Sequence, residues 1–169
     1  LVEPRINAVW AVDFMRDTLY SGRVFRTFNV IDEANRGCLG IDVAVSIPAS
    51  RVVTFLTQLI ELHGRPRAIR CDNGPELTSQ TFQDWCKQQD IELRFIQPGK
   101  PDQNAYIERF NRTYREEVLS AYLFDSLEEV REISVEWLER YNEIRPHDAL
   151  GNLPPARYRE QVLEVETPV

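Results

Sequence analysis

Cysteine and histidine are scarce in this chain of 169 residues: Cys38, Cys71 and Cys86, with His63 and His147. No CxxC pair occurs and the histidines lie far from the cysteines in sequence. That spacing argues against a disulfide framework and against a Cys/His zinc site, and it fits a reducing cytosol. With so few histidines there is no Ser-His-Asp or Cys-His set to supply a protein nucleophile. No apolar run approaches the roughly 20 residues that a membrane span requires, so no membrane partner is expected. No signal peptide, internal repeat or low-complexity segment is visible; the chain begins at Leu1 without a methionine, so anything upstream is out of view.

What is there suffices for one folded domain. The chain is 43% apolar and 28% charged, and at this length folding buries about two-thirds of the surface that the unfolded chain exposes. The net charge of −7 looks hostile to nucleic acid, but it is unevenly spread. Residues 116–143 hold 9 acids against Arg131 and Arg140, whereas residues 94–115 set Arg94, Lys100, Arg109, Arg112 and Arg115 against Asp102 and Glu108. The composition thus excludes a protein that coats DNA with positive charge, but not an enzyme with one basic groove.

The apolar run at 8–14 predicts a buried strand, 23–31 a second and 38–47 a third, joined by turn chemistry at Asp17–Gly22 and Asp32–Gly37. Ser50 then starts a helix through Val52, Phe55, Leu56, Leu59 and Ile60, which Gly64 and Pro66 stop. A short strand at 68–71 runs into the turn Asp72-Asn73-Gly74-Pro75. A helix over 79–89 leads to a strand at 91–96, a Pro/Gly loop at 97–101 and helical patterning over most of 102–122. Ser126-x-x-Glu129 is a capping box that opens a further helix, ended by Arg145-Pro146. After Pro154-Pro155 a short polar tail is expected. An antiparallel meander followed by alternating α/β units points to one mixed sheet flanked by helices.

Three acids stand out from the rest. Asp13 sits in an otherwise apolar strand, which it is expected to close, and an unpaired charge there is costly. Asp72 ends the fourth strand on a sharp turn. Glu108 lies on a predicted helix with Asn104, Arg112 and Arg115 within about 60° of it, while Ile107, Phe110 and Tyr114 occupy other faces. Asp17, Asp32, Asp84 and Asp90 read as solvated surface acids. Three carboxylates from three elements can hold two divalent cations of the oxygen-seeking kind. The bland alternative for the helix is a solvated face laced by pairs such as Glu108–Arg112. The separation Asp72-x35-Glu108 does not decide between them, since chance supplies such a pair in a chain with this many acids.

The motifs in combination are more specific. They are Trp10-Ala11-Val12-Asp13-Phe14, Asp72-Asn73-Gly74-Pro75-Glu76, the run from Pro98-Gly99-Lys100-Pro101-Asp102-Gln103-Asn104 through Ile107-Glu108-Arg109-Phe110-Asn111, and Tyr141-Asn142-x-x-Arg145-Pro146-His147-x-Ala149-Leu150. Over roughly 8–158 the chain resembles the catalytic core of DDE-type insertion-sequence transposases, relatives of retroviral integrases. The resemblance implies an α/β, ribonuclease H-like fold over residues 1–158. Its five-stranded mixed sheet has an antiparallel β1–β3 meander followed by parallel β4 and β5, and 159–169 are left as the tail.

By the same resemblance Asp13, Asp72 and Glu108 are the catalytic and metal-binding triad, and Arg115 is the basic residue seven positions after the glutamate. The cofactor implied is Mg²⁺ or Mn²⁺, two ions in the active complex. The partners implied are transposon-end DNA, target DNA and further copies of the chain, in the bacterial cytosol or nucleoid. Lys100, Arg112 and Arg115 are expected at phosphates, with Gln103 and Asn104 orienting a strand or base and Tyr106 serving as a core aromatic. Two features depart from the family pattern. Asn152 stands where an aromatic residue is usual, and neither a helix-turn-helix nor a zinc-binding module appears, so recognition of DNA sequence is expected from an upstream domain not present in this chain. Two other readings share parts of this pattern: a nuclease of the same fold acting by hydrolysis alone, and a catalytically silent DNA-binding relic.

Overall fold

The computed structural model describes residues 5–147 and 150–166; Ala149 of the last motif and the final three residues of the expected tail lie outside them. Five strands form one sheet in the order β3-β2-β1-β4-β5. They are β1 (Val9–Thr18), β2 (Val24–Asp32), β3 (Cys38–Ala44), β4 (Ala68–Cys71) and β5 (Glu92–Phe95). β1, β2 and β3 pair antiparallel, and β4 pairs parallel to both β1 and β5. This is the mixed sheet that the sequence pattern predicts.

Helices cover both faces, as a sheet with a parallel half requires. On one side α1 (Ala49–His63) and α3 (Gln80–Gln88) bring Val52, Leu56, Phe82 and Trp85 against Trp10, Val12, Phe28 and Val30. On the other, α4 (Ala105–Tyr114) and α5 (Leu127–Glu143) set Ile107, Phe110, Tyr114 and Trp137 against Ala11, Phe25, Ile31 and Val43. Adjacent residues of β1 therefore serve opposite cores, which explains why its first half reads as continuously apolar. The capping box forms at α5: the Ser126 hydroxyl accepts the Glu129 N–H at 3.2 Å, while the Glu129 carboxylate accepts from Asp125 N–H at 2.9 Å.

Several boundaries differ from expectation for identifiable reasons. β1 does not close at Asp13 but runs to Thr18, because a register unbroken to Thr18↔Val24 holds its second half against β2. Ser50 lies inside the first turn of α1; Pro48 occupies the cap, and its carbonyl takes the N–H groups of Arg51 and Val52. A one-turn helix α2 (Pro75–Thr78) precedes α3, whose cap is Ser79. The helical stretch 102–122 is three pieces, a 3₁₀ turn at Pro101–Asn104, α4, and a widened π turn at Arg115–Leu119. The polar tail begins as helix: α6 (Pro155–Glu166) crosses the boundary drawn at 158. Asp32, read as a surface acid, is fully buried and accepts the N–H groups of Asn7 and Ala34, so its carboxylate organises the β2–β3 turn. Asn152 adopts φ 65°, a left-handed conformation that asparagine tolerates better than an aromatic residue.

Helix α4 is seated by an aromatic cluster in which Phe110 meets Tyr141 edge-on at 5.2 Å and Trp137 at 5.7 Å. Replacing Phe110 by alanine is expected to cost about 3–5 kcal/mol, whereas Arg109→Ala on the exposed side should stay within about 0.5 kcal/mol. Urea denaturation of the two variants measures both; equal effects would mean that α4 is not held by this cluster.

Candidate active site

The parallel pairing of β1 with β4 sets the first two acids side by side. Its register ends at Ala11↔Arg70, so two residues further along each chain Asp13 and Asp72 come level, where β4 has ended and β1 continues against β2 alone. Asp13 is thus mid-strand with respect to β2, where it faces Asn29, yet it lies at the mouth of the crevice beyond the carboxyl end of β4. Such crevices are where open α/β sheets bind ligands.

Local hydrogen bonds fix both carboxylates. Asp13 Oδ1 accepts the Phe14 N–H and Oδ2 the side-chain amide of Asn111, each at 2.9 Å. Asp72 Oδ1 accepts the Gly74 N–H at 2.9 Å, closing the turn after β4. A Cβ on Gly74 would lie 3.1 Å from that oxygen, so glycine lets the backbone approach the carboxylate. Asp13 is pushed up to about 7, first by burial and then by the negative charge of Asp72, with a smaller push from Glu108.

Glu108 comes from the first turn of α4, exposed on the helix face opposite the buried Ile107 and Phe110. Its charge reaches Asp13, but among the described residues no three acidic, histidine or cysteine side chains already form a metal-holding group. The donors fit a hard divalent cation nonetheless. They are oxygens only, and two carboxylates crowded enough to raise one of them gain from a positive charge between them. A fourth acid of the same turn, Glu76, is engaged by Arg26 at 2.5 Å, and Arg26 in turn stacks over the Phe14 ring.

The expected DNA contacts divide. Lys100 and Arg112 are exposed. Arg115 is partly engaged, donating to the Arg16 carbonyl at 3.0 Å and lying 3.5 Å from Asp17 rather than pairing with Glu108. Gln103 accepts the Gln97 N–H at 2.7 Å and so staples its own loop. Asn104, expected to orient a strand or base, is only 3% exposed, because the 3₁₀ turn before α4 points it inward. Tyr106 is half-buried with the Arg36 guanidinium 3.8 Å above its ring. The sequence reading assigned nothing to Asn111, although it stands one helical turn after Glu108, nor to Asn29, a polar residue between Phe28 and Val30. The second carries the signal that singled out Asp13, a polar side chain in an apolar strand.

Because Asp13 holds its proton in the folded state up to about 7 but only to about 4 when unfolded, its contribution to stability is complete at low pH. It is lost as pH rises through that window. Thermal unfolding in a chelator should show this loss between pH 4 and 7, and Asp72→Asn should shrink it by removing the neighbouring charge. Identical profiles would mean that the two carboxyls do not interact.

Sequence and structure comparisons identify the family and the fold. The integrase core domain family matches over residues 3–101 and again, in a second form, over 89–155. A 39.2 kDa protein of insertion element IS476 from Xanthomonas euvesicatoria is 42% identical over 152 residues, covering 90% of this chain and 44% of that protein. A 31.7 kDa protein of insertion element IS407 from Burkholderia multivorans is 38% identical, covering 90% and 55%. The chain thus spans about half the length of the curated relatives it matches. Among solved structures, the HTLV-2 integrase catalytic core domain in complex with magnesium superposes with a TM-score of 0.71 at 19% identity, covering 91% of this chain and 97% of that one. A simian T-cell lymphotropic virus intasome chain gives 0.78 at 19% identity, covering 94% and 56%. The fold is that of retroviral integrase cores, and this chain belongs to the integrase core domain family.

Proposed function

We propose that the chain is the catalytic core of a bacterial DNA transposase, cutting transposon-end DNA and joining it to target DNA in the cytosol. The observation that carries this reading is the juxtaposition of Asp13, midway along β1, with Asp72, just past the carboxyl end of the adjacent parallel strand β4, and Glu108 approaching from α4. Asp13, Asp72 and Glu108 would hold divalent cations, two in the active complex, and the chemistry these would supply when bound is activation of a water or 3′-hydroxyl nucleophile and neutralisation of the leaving oxygen.

The remaining work belongs to the protein's own groups. Asn111 and the Phe14 N–H hold the Asp13 carboxylate, and the Gly74 N–H holds that of Asp72, so both are fixed before substrate arrives. Glu108 completes the set from a helix whose opposite face is buried, so the helix stays in place while the side chain turns toward the two aspartates. Lys100 and Arg112 receive backbone phosphates and set the strand's height over the carboxylates, with Arg115 joining them once drawn from Asp17. All three cysteines are buried, consistent with transfer that needs no protein nucleophile. Recognition of the transposon-end sequence falls to parts of the full-length protein beyond this chain, and pairing of two ends brings further copies together.

Two measurements test the proposal. In full-length protein, with Mg²⁺ and the element's own ends, Asp72→Asn should abolish cleavage and joining while leaving the fold intact. Asp102→Asn, at the helix start, should alter stability by less than about 1 kcal/mol. Cleavage that survives Asp72→Asn contradicts the assignment, and cleavage of an intact end without any joining of a pre-cut end favours hydrolysis instead. Neutralising Lys100 and Arg112 together should lower the slope of log affinity against log salt by about two; an unchanged slope would remove both from the DNA surface.

A further inference from the structure

Asn29 is a polar residue in a place where stability gives no reason for one. It lies at the centre of β2, fully buried, between Phe28 and Val30, and it shares with Ile31 the side of the sheet that α4 covers. Its Nδ2 donates to Asn111 Oδ1 at 2.8 Å and to the Met15 sulfur at 3.2 Å, while its own Oδ1 has no hydrogen-bond partner. An aliphatic residue would remove that orphaned acceptor, along with the donor to Asn111.

The direction of the hydrogen bonds explains the amide. The chain Asn29–Asn111–Asp13 ends on a carboxylate, which accepts and does not donate when ionised. Asn111 must therefore turn its NH₂ toward Asp13 Oδ2, and its oxygen is left facing the sheet. Only a donor there keeps it in that orientation, and Asn29, register partner of Asp13 on the adjacent strand, supplies it. Without Asn29 the half-buried Asn111 amide is free to flip, presenting oxygen to oxygen, or to swing to solvent. Either change releases Asp13 Oδ2, because Oδ1 is tied to the Phe14 N–H alone.

We infer that Asn29 is a positioning residue that fixes the Asp13 carboxylate for metal through the oriented amide of Asn111. The inference rests on the reading of Asp13 and Asp72 as metal ligands. It extends the site one layer inward, onto a strand that carries none of the three acids. Partners of this kind, when removed, typically lower metal affinity or activity by about 10- to 100-fold.

The test uses full-length protein, with Mn²⁺ alone as the probe of the site. Asn29→Leu should weaken Mn²⁺ binding, followed by calorimetry or by the free-ion EPR signal, by at least about tenfold. Its thermal midpoint without metal should change little, since one unsatisfied oxygen is removed while the Asn111 oxygen loses its donor. In strand joining kcat should fall by a similar factor, with KM for the DNA end little altered. The double variant Asn29→Leu, Asn111→Ala should be no worse than Asn111→Ala alone, as expected of two residues acting in series. Should leucine prevent folding, Asn29→Ala is read in the same way.

Unchanged Mn²⁺ affinity in Asn29→Leu, beside a loss in Asp72→Asn, would overturn the role of Asn29 and leave the triad standing. Effects of the two asparagines that add would also overturn it. Wild-type Mn²⁺ affinity in Asp72→Asn would remove the metal site itself, and the positioning role with it.

Discussion

Two like charges held next to each other are the constraint around which this domain is arranged. The parallel register of β1 with β4, which ends at Ala11↔Arg70, brings Asp13 and Asp72 to the same level two residues further on. Burial and mutual repulsion then raise Asp13 far above an ordinary carboxyl. Elsewhere in the molecule a buried acid is compensated locally, as Asp32 is by two backbone N–H groups with Arg159 close by, and Glu33 by Arg70. At Asp13 the compensation among the described residues is one backbone N–H and one amide, with no basic side chain paired to it. A divalent cation would correct that imbalance, which is the ground for proposing a metal site there rather than a structural ion pair.

Helix α4 connects this electrostatic defect to the rest of the protein. Its buried face, Ile107, Phe110 and Tyr114, is locked into the aromatic layer below α5, and Tyr114 shares a hydrogen bond with Ser134 at 2.6 Å. Its polar face carries Glu108, Asn111 and Arg112 toward the crevice. The core therefore fixes the helix, and the helix fixes the third acid and the amide that steadies the first. The strongly negative charge of the whole chain does not oppose a DNA substrate, since nine of its acids lie in residues 116–143, beyond the active-site helix.

Most of the fold was readable because its signals were local. Alternation and turn residues marked all five strands, Ser126 and Glu129 marked the start of α5, and the motifs marked the three acids. What was not readable depended on tertiary pairing. Asp13 looked like the end of a strand because Phe14 is followed by Arg16 and Asp17, yet pairing with β2 carries the strand to Thr18. Asp32 looked like a surface acid because nothing in its neighbours announces the two N–H groups that bury it. Asn104 fell on the polar side of an ideal helix, but the 3₁₀ turn before α4 rotates it into the interior. The Asn29–Asn111 contact joins residues 82 apart, and no spacing rule links them.

The central claim is that Asp13, Asp72 and Glu108 form one metal site that works on DNA. Anomalous diffraction from crystals of the protein soaked in Mn²⁺ with a transposon-end duplex tests it most directly. The account predicts manganese peaks bridged by the Asp13 and Asp72 carboxylates, with the Glu108 side chain drawn in as the third ligand and the scissile phosphate beside them. Manganese located away from these carboxylates, or Glu108 remaining in solvent with DNA and metal both bound, would contradict it.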